Sequence, residues 1–211
     1  MYTPLMLGSG ILWTLTYILM IRRGFKDKTY GMPLAALSAN IAWEFIFSFI
    51  EPCQPPQLYV NIIWFSFDAI ILYQFFKYGM SEIKGLSRTQ FIAFSLLSLT
   101  IGFFAVLFIT YEFKDFLGAY SAFSQNLMMS ILFVVMLYRR NSARGQSIYI
   151  AVFKCIGTVF PSLAFYLYQG RFHGSLFMNF LYISIFVFDL IYIVNLYQKC
   201  KEEGINPWKR F

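Results

Sequence analysis

Seven apolar runs of about 17 to 22 residues divide this chain, and each is long enough to cross the hydrocarbon of a bilayer as a helix. Nothing constrains the fold more, because a span in lipid must satisfy its own backbone hydrogen bonds, which only helices and closed barrels do. The runs lie at Pro4 to Ile21, Gly31 to Ile50, Tyr59 to Phe76, Gln90 to Ile109, Tyr120 to Leu137, Ser147 to Leu167 and Leu176 to Leu196. Composition agrees with them. The chain is 59% hydrophobic and 21% aromatic but only 13% charged, about half the charged fraction of a soluble domain. The expectation is an all-α polytopic membrane protein with seven transmembrane helices in a single domain over residues 1–211. The short loops leave no room for a linker or a second domain.

A net charge of +7 would suggest nucleic acid as a partner in a soluble chain, but here its distribution says otherwise. Arg22, Arg23, Lys26 and Lys28 follow the first run; Lys77, Lys84 and Arg88 follow the third. Arg139, Arg140 and Arg144 follow the fifth, and Lys199, Lys201, Lys209 and Arg210 follow the seventh. The alternate loops hold only Lys114 and Arg171. By the positive-inside rule the amino terminus is then outside and the carboxyl terminus cytosolic, with the bilayer and not nucleic acid as partner. No basic residue precedes the first run and no small-residue cleavage site follows it, so it reads as a span and not a secretory signal. Cys53, Cys155 and Cys200 are too scattered for a disulfide framework or a thiolate metal site. The single histidine, His173, reads as a solvated loop residue.

Four ionisable residues interrupt the runs: Glu44, Asp68, Lys154 and Asp189. Such residues in hydrocarbon cost at least a few kcal/mol, so they should face the bundle interior and serve a purpose. Asn40 and Glu44 are four apart and share a helix face, with Trp43 beside them. At about 1.5 Å per residue, Glu44 and Asp68 lie roughly 10 and 13 Å in from the outer side, and Asp189 and Lys154 both roughly 20 Å. Asp189 and Lys154 could then pair as ions. Glu44 and Asp68 are two acids at like depth, and in low dielectric at least one of them should hold its proton at neutral pH. A carboxyl kept neutral in oil is a usable general acid, and an ionised one is a usable base or cation stabiliser. Set against this, buried acids can simply pin helices together through hydrogen bonds.

Trp43, Trp64, Phe67, Phe188 and Tyr192 lie near the acids in sequence and could line a cavity and stabilise carbocations by cation–π attraction. Ordinary packing is the competing reading for each. Trp13 and Trp208 read as interface anchors, and the first helix, lacking ionisable groups, as a lipid-facing wall. The hexapeptides Phe65-Ser66-Phe67-Asp68-Ala69-Ile70 and Phe186-Val187-Phe188-Asp189-Leu190-Ile191 echo each other on two helices of the same direction, which allows two parallel three-helix repeats. No DDxxD, DxDD, HExxH, P-loop or GxSxG pattern occurs, so a metal or phosphate-binding cofactor is not expected.

Gly31-Met32-Pro33 followed by Asn40, Trp43 and Glu44 resembles the second-helix signature of the membrane-integrated terpene cyclases of fungal meroterpenoid and indole-diterpene (paxilline-type) pathways. Trp64 and Asp68 on the third helix, and Asp189 near the middle of the last, extend the likeness over most of the chain. The resemblance implies that Glu44 and Asp189 are the essential acids; Asp68 and Asn40, from their depth and spacing, read as a supporting acid and hydrogen-bonding partner. It implies a hydrophobic isoprenoid substrate: an epoxidised prenyl chain on an aromatic or polyketide head, or a simpler farnesyl chain. Protonation of the epoxide or terminal alkene would start a carbocation cascade without a cofactor. Two other classes compete on the same residues. A proton-coupled seven-helix transporter would use Glu44 and Asp68 as a proton site, and a retinal photoreceptor would want its lysine on the last helix, whereas Lys154 is on the sixth.

Overall fold

The computed structural model describes residues 1–83 and 85–211. Lys84, counted above with the basic loops, lies outside the described residues. Seven α-helices appear in chain order: α1 (Tyr2–Asp27), α2 (Leu34–Phe45), α3 (Gln57–Tyr78), α4 (Arg88–Glu112), α5 (Ala119–Arg140), α6 (Ile148–Tyr168) and α7 (Leu176–Glu202). Strands are absent among the described residues. Six of these helices are long and apolar enough to cross a membrane. The seventh, α2, reaches 17 residues only with the π-helical turn Ile46–Ile50 that continues it.

The boundaries differ from the apolar runs for local reasons. Gly31 and Met32 form a bend, and α2 starts only after Pro33, whose carbonyl accepts from the Leu37 amide at 2.9 Å. The helix ends where Glu51 N–H reaches back five residues to the Ile46 carbonyl at 2.8 Å, just before Pro52. Helix α1 runs six residues past its apolar run because its last turn is held by charge. Asp27 accepts from Arg23 at 2.5 Å, from Arg210 at 2.7 Å and from the Gly145 amide at 2.7 Å. Arg140 pairs with Glu82 at 2.9 Å in the α3–α4 loop and lies over the Tyr30 ring. The loops that follow α1, α3 and α5, and the segment after α7, therefore meet at one end of the bundle.

Packing follows small residues. Helix α1 lies along α6, where Ser9 donates to the Gly157 carbonyl at 2.7 Å. Helices α2 and α4 approach backbone to backbone at Gly102: a Cβ there would sit 2.7 Å from the Ser38 carbonyl. Ser38 and Ser98 share a hydrogen bond across the same contact at 3.0 Å. Close approach through glycine and serine is how helices associate when lipid offers no hydrophobic drive. The outer face of α4 carries exposed Leu96, Leu97, Ile101, Phe104 and Phe108, an apolar exterior suited to lipid and not to water.

Two expectations need correction. Helix α1 is not merely a wall, since Tyr17 and Met20 on it are fully buried. Trp13 is not an interface anchor: its ring packs on Tyr17 and lies 5.8 Å below the Lys154 ammonium inside the bundle.

Candidate active site

Glu44 and Asn40 sit one turn apart on the inner face of α2, and their spacing places both side chains towards α1 and α3. Glu44 is 1% exposed and Asp68, from α3, is 0% exposed. The Asn40 amide nitrogen lies 3.0 Å from Glu44 Oε1 and 2.8 Å from Asp68 Oδ2, so one amide ties the two acids together. The Tyr17 hydroxyl on α1 donates to Glu44 Oε1 at 2.6 Å and accepts from Asn40 at 2.5 Å. Gln125 on α5 donates to Asn40 Oδ1 at 3.3 Å. Among the described residues no Lys or Arg forms an ion pair with either carboxyl; their donors are the neutral Tyr17 and Asn40, and the two acids lie in hydrogen-bond reach of each other. Glu44 Oε2 and Asp68 Oδ1 are buried without any hydrogen-bond partner.

Two unscreened negative charges around one amide would be unsupported here, because ions taken out of water cost several kcal/mol each unless paired. The arrangement suits a pair that holds at least one proton. The π-helical turn begins two residues after Glu44, and such insertions widen a helix and recur at functional positions.

A second centre lies on α5, α6 and α7. Lys154 Nζ donates to Asp189 Oδ1 and to Ser130 Oγ, each at 2.7 Å, with both ionic side chains almost wholly buried. Asp189 Oδ2 is unpartnered, and Asp189 lines a crevice of about 10 Å³ together with Cys155, Thr158, Ser162 and Tyr182 among others. That is about the room one water molecule needs.

The aromatic residues divide. Trp64 and Phe67 pack on the Tyr17 ring, each with centroids 5.9 Å apart, and so stand beside the first pair of acids. Trp43 packs on Phe47, and its indole N–H donates to the Gly118 carbonyl at 2.9 Å. The Tyr192 ring lies on Phe133 and its hydroxyl donates to Gln146, which commits it elsewhere. Phe188 is partly buried and shares no ring contact with these aromatics among the described residues. Sequence reasoning missed Tyr17 altogether and gave Gln125 and Ser130 no part. Gln125 carried a weak signal as an amide in an apolar run, whereas Tyr17, one of 15 tyrosines, carried none.

A larger hollow of about 190 Å³ opens to the exterior between α2, α3 and α4, lined by Ser38, Ile41, Ala42, Phe45, Phe65, Leu99 and Phe103. Neither hollow is lined by Glu44. No group of three or more His, Cys, Asp or Glu that could hold a metal ion occurs among the described residues.

Fold and site define an integral, multi-pass membrane protein with acids grouped in its interior. The chain belongs to the Pyr4-like transmembrane terpene cyclases, whose family model matches residues 1–202. It is similar to the Pyr4-family terpene cyclase mfmH of Annulohypoxylon moriforme, with 32% identity over 91% of this chain and 81% of that protein. It is also similar to the asnovolin H synthase nvfL of Aspergillus novofumigatus, 32% identical over 72% of this chain and 64% of that protein. The terpene cyclase pyr4 of Aspergillus fumigatus is 33% identical over 36% of this chain and 32% of its own length. No solved structure matches. Membership of the family supports terpenoid cyclisation as the activity.

Proposed function

We propose that this protein cyclises a linear prenyl chain, epoxidised at its far end, by direct protonation from Glu44 with no metal ion. The observation that carries the reading is the Glu44–Asp68 pair, buried with no cation beside it and with one oxygen of each acid unpartnered. Glu44 Oε2 gives its proton to the epoxide oxygen, a C–O bond of the ring breaks, and the developing cation is attacked by successive double bonds. The closing step returns a proton to a base, so the whole reaction is an isomerisation. Epoxide protonation suits a single glutamic acid better than alkene protonation, because the epoxide oxygen is more basic and its ring is strained. A farnesyl chain without the epoxide asks for a stronger acid.

Asp189, held as a carboxylate by Lys154, is on this reading the cation stabiliser or final base. Trp64 and Phe67 offer ring faces to the cation, while Trp43, Phe188 and Tyr192 have weaker support as lining residues. A prenyl chain reaches Glu44 only when the side chains packed around it move aside. The protein would act as one seven-helix transmembrane domain, amino terminus outside and carboxyl terminus cytosolic, because the basic loops share one end. The bilayer would supply the apolar substrate.

The test is product analysis after co-expression with a pathway that makes an epoxidised prenyl-aryl compound. A new cyclic terpenoid that disappears with Glu44→Gln supports the reading. Proton-coupled uptake into vesicles with no cyclic product would instead favour the transporter, which draws on the same acids.

A further inference from the structure

The proton on Glu44 can sit on either of two oxygens, and only one placement leaves it available to a ligand. Asn40 has two amide hydrogens but three oxygens within reach: Tyr17 at 2.5 Å, Asp68 at 2.8 Å and Glu44 at 3.0 Å. The two shorter contacts take both hydrogens. Glu44 Oε1 is then left with one committed donor, the Tyr17 hydroxyl at 2.6 Å. When Glu44 is the neutral acid, the oxygen that accepts from Tyr17 is its carbonyl oxygen. The proton of that neutral acid then belongs on Oε2, which is buried and receives no hydrogen bond from a donor group, while the Asp68 carboxyl, in hydrogen-bond reach of Glu44, is the one protein group beside it that could share the proton.

Tyr17 cannot easily turn away from this duty. It is 1% exposed and wedged among Trp13, Trp64 and Phe67, with ring centroids 5.9 to 6.2 Å away. Asn40 donating to the same hydroxyl oxygen polarises its O–H bond, since chained hydrogen bonds strengthen one another.

We propose that Tyr17 is a positioning residue for the cyclisation, which directs the acidic proton of Glu44 to Oε2 and stabilises the carboxylate left behind. This deepens the cyclase reading and rests on it. When the Oε2–H bond breaks, the proton goes to the substrate oxygen and the electron pair stays on Glu44. The Tyr17 bond then becomes charge-assisted and stronger than it was in the neutral acid. An interaction that strengthens during the step raises kcat and leaves KM unchanged.

The experiment uses the full chain in lipid nanodiscs and has two readouts. The first is the infrared C=O band of the protonated carboxyl, assigned by its loss in Glu44→Gln. Tyr17→Phe, which removes one donor to Oε1, should move that band to higher frequency. Replacement of Tyr17 by 3-fluorotyrosine, a stronger donor on the same ring, should move it lower and guards against a misfolded Phe variant. The second readout is turnover of a terminally epoxidised farnesyl aryl ether, where Tyr17→Phe should lower kcat by about ten- to a hundredfold at constant KM. A protonated band that is missing in the unaltered protein, or unmoved by both replacements, overturns the proposal, and so does unchanged kcat in Tyr17→Phe. Band shifts as expected in a protein that yields no cyclic product would sink the cyclase reading and leave the hydrogen bond standing.

Discussion

Asp68 and Asp189 occupy nearly the same local sequence, Phe-x-Phe-Asp-x-Ile, on helices α3 and α7, yet they live in opposite surroundings. Asp189 touches an ammonium, Lys154 at 2.7 Å. Among the described residues Asp68 meets no cation: it accepts from the neutral amide of Asn40 and lies in hydrogen-bond reach of a second acid, Glu44. Burial is equal, so burial alone does not decide which carboxyl keeps a proton. The partner does. One centre is built to hold a negative charge and the other to avoid two of them, which is the division that proton-initiated chemistry needs: an acid in one place and a carboxylate in another.

The largest effect should come from removing the proton of the first centre. Glu44→Gln keeps the shape and the hydrogen-bond reach to Tyr17 but has no acidic hydrogen, and cyclisation should fall by on the order of a thousandfold, in the range of general acid catalysis. Product rate per folded protein checks this; a variant that still turns over normally would break the division at its acid half. Asp189→Asn comes next. It should lower cyclisation by nearly as much, and it should also destabilise the fold, because Lys154 is left as an uncompensated buried charge at about 3–5 kcal/mol. The two losses separate in the pair of variants with Lys154→Met. Lys154→Met alone should reduce folded yield, Asp189→Asn with Lys154→Met should restore it, and activity should stay lost. Recovery of both would mean that Asp189 serves the fold only.

Much of this was legible in the sequence, for a simple reason: a charge in an apolar run is visible. Counting 1.5 Å per residue matched Lys154 with Asp189 and Glu44 with Asp68, and the structure has the first pair in contact and the second on one amide. Facing is another matter. Helical depth does not say which side chain looks inward, so Tyr192 and Phe188, close to Asp189 in sequence, were grouped with an aromatic cluster that the structure builds from Tyr17, Trp64 and Phe67 instead. Tyr17 was invisible because its polarity is one hydroxyl on an aromatic ring, in a chain where aromatics are the commonest filler. Helix α1 looked inert for the same reason. The end of α1 was misjudged because Asp27 is stabilised by Arg210, 183 residues further on, a contact no local pattern announces.

A smaller effect sharpens the comparison at the Asp68 side. Asp68→Asn removes the neighbour whose charge keeps a proton on the pair, while an amide of the same shape remains beside Asn40. Cyclisation should fall by about tenfold, well short of the loss in Glu44→Gln, since an assisting group contributes less than the proton donor itself. Rates of the two variants under one set of conditions decide it. Equal losses would mean that the two acids act as one unit, and Asp68 would then belong with the donor and not with its support.

The smallest effect concerns Trp43, whose place beside Glu44 in sequence invites a catalytic role that its contacts do not favour. Its indole N–H is committed to the Gly118 carbonyl at 2.9 Å and its ring to Phe47, so it ties α2 to the start of α5. Gly118 is left-handed, with φ of 66°, and a Cβ there would strike the Phe47 and Trp43 rings, which makes this a packed corner. Trp43→Phe should therefore cost about 1 kcal/mol of stability through the lost hydrogen bond, and leave the cyclic product and its proportions unchanged. A cation-stabilising ring would behave differently: weakening it would let the cation escape early, and partly cyclised products would accumulate. Product distribution, and not rate, is the measurement that separates the two, because a corner that loosens slows everything alike while a missing ring face changes which bond forms next.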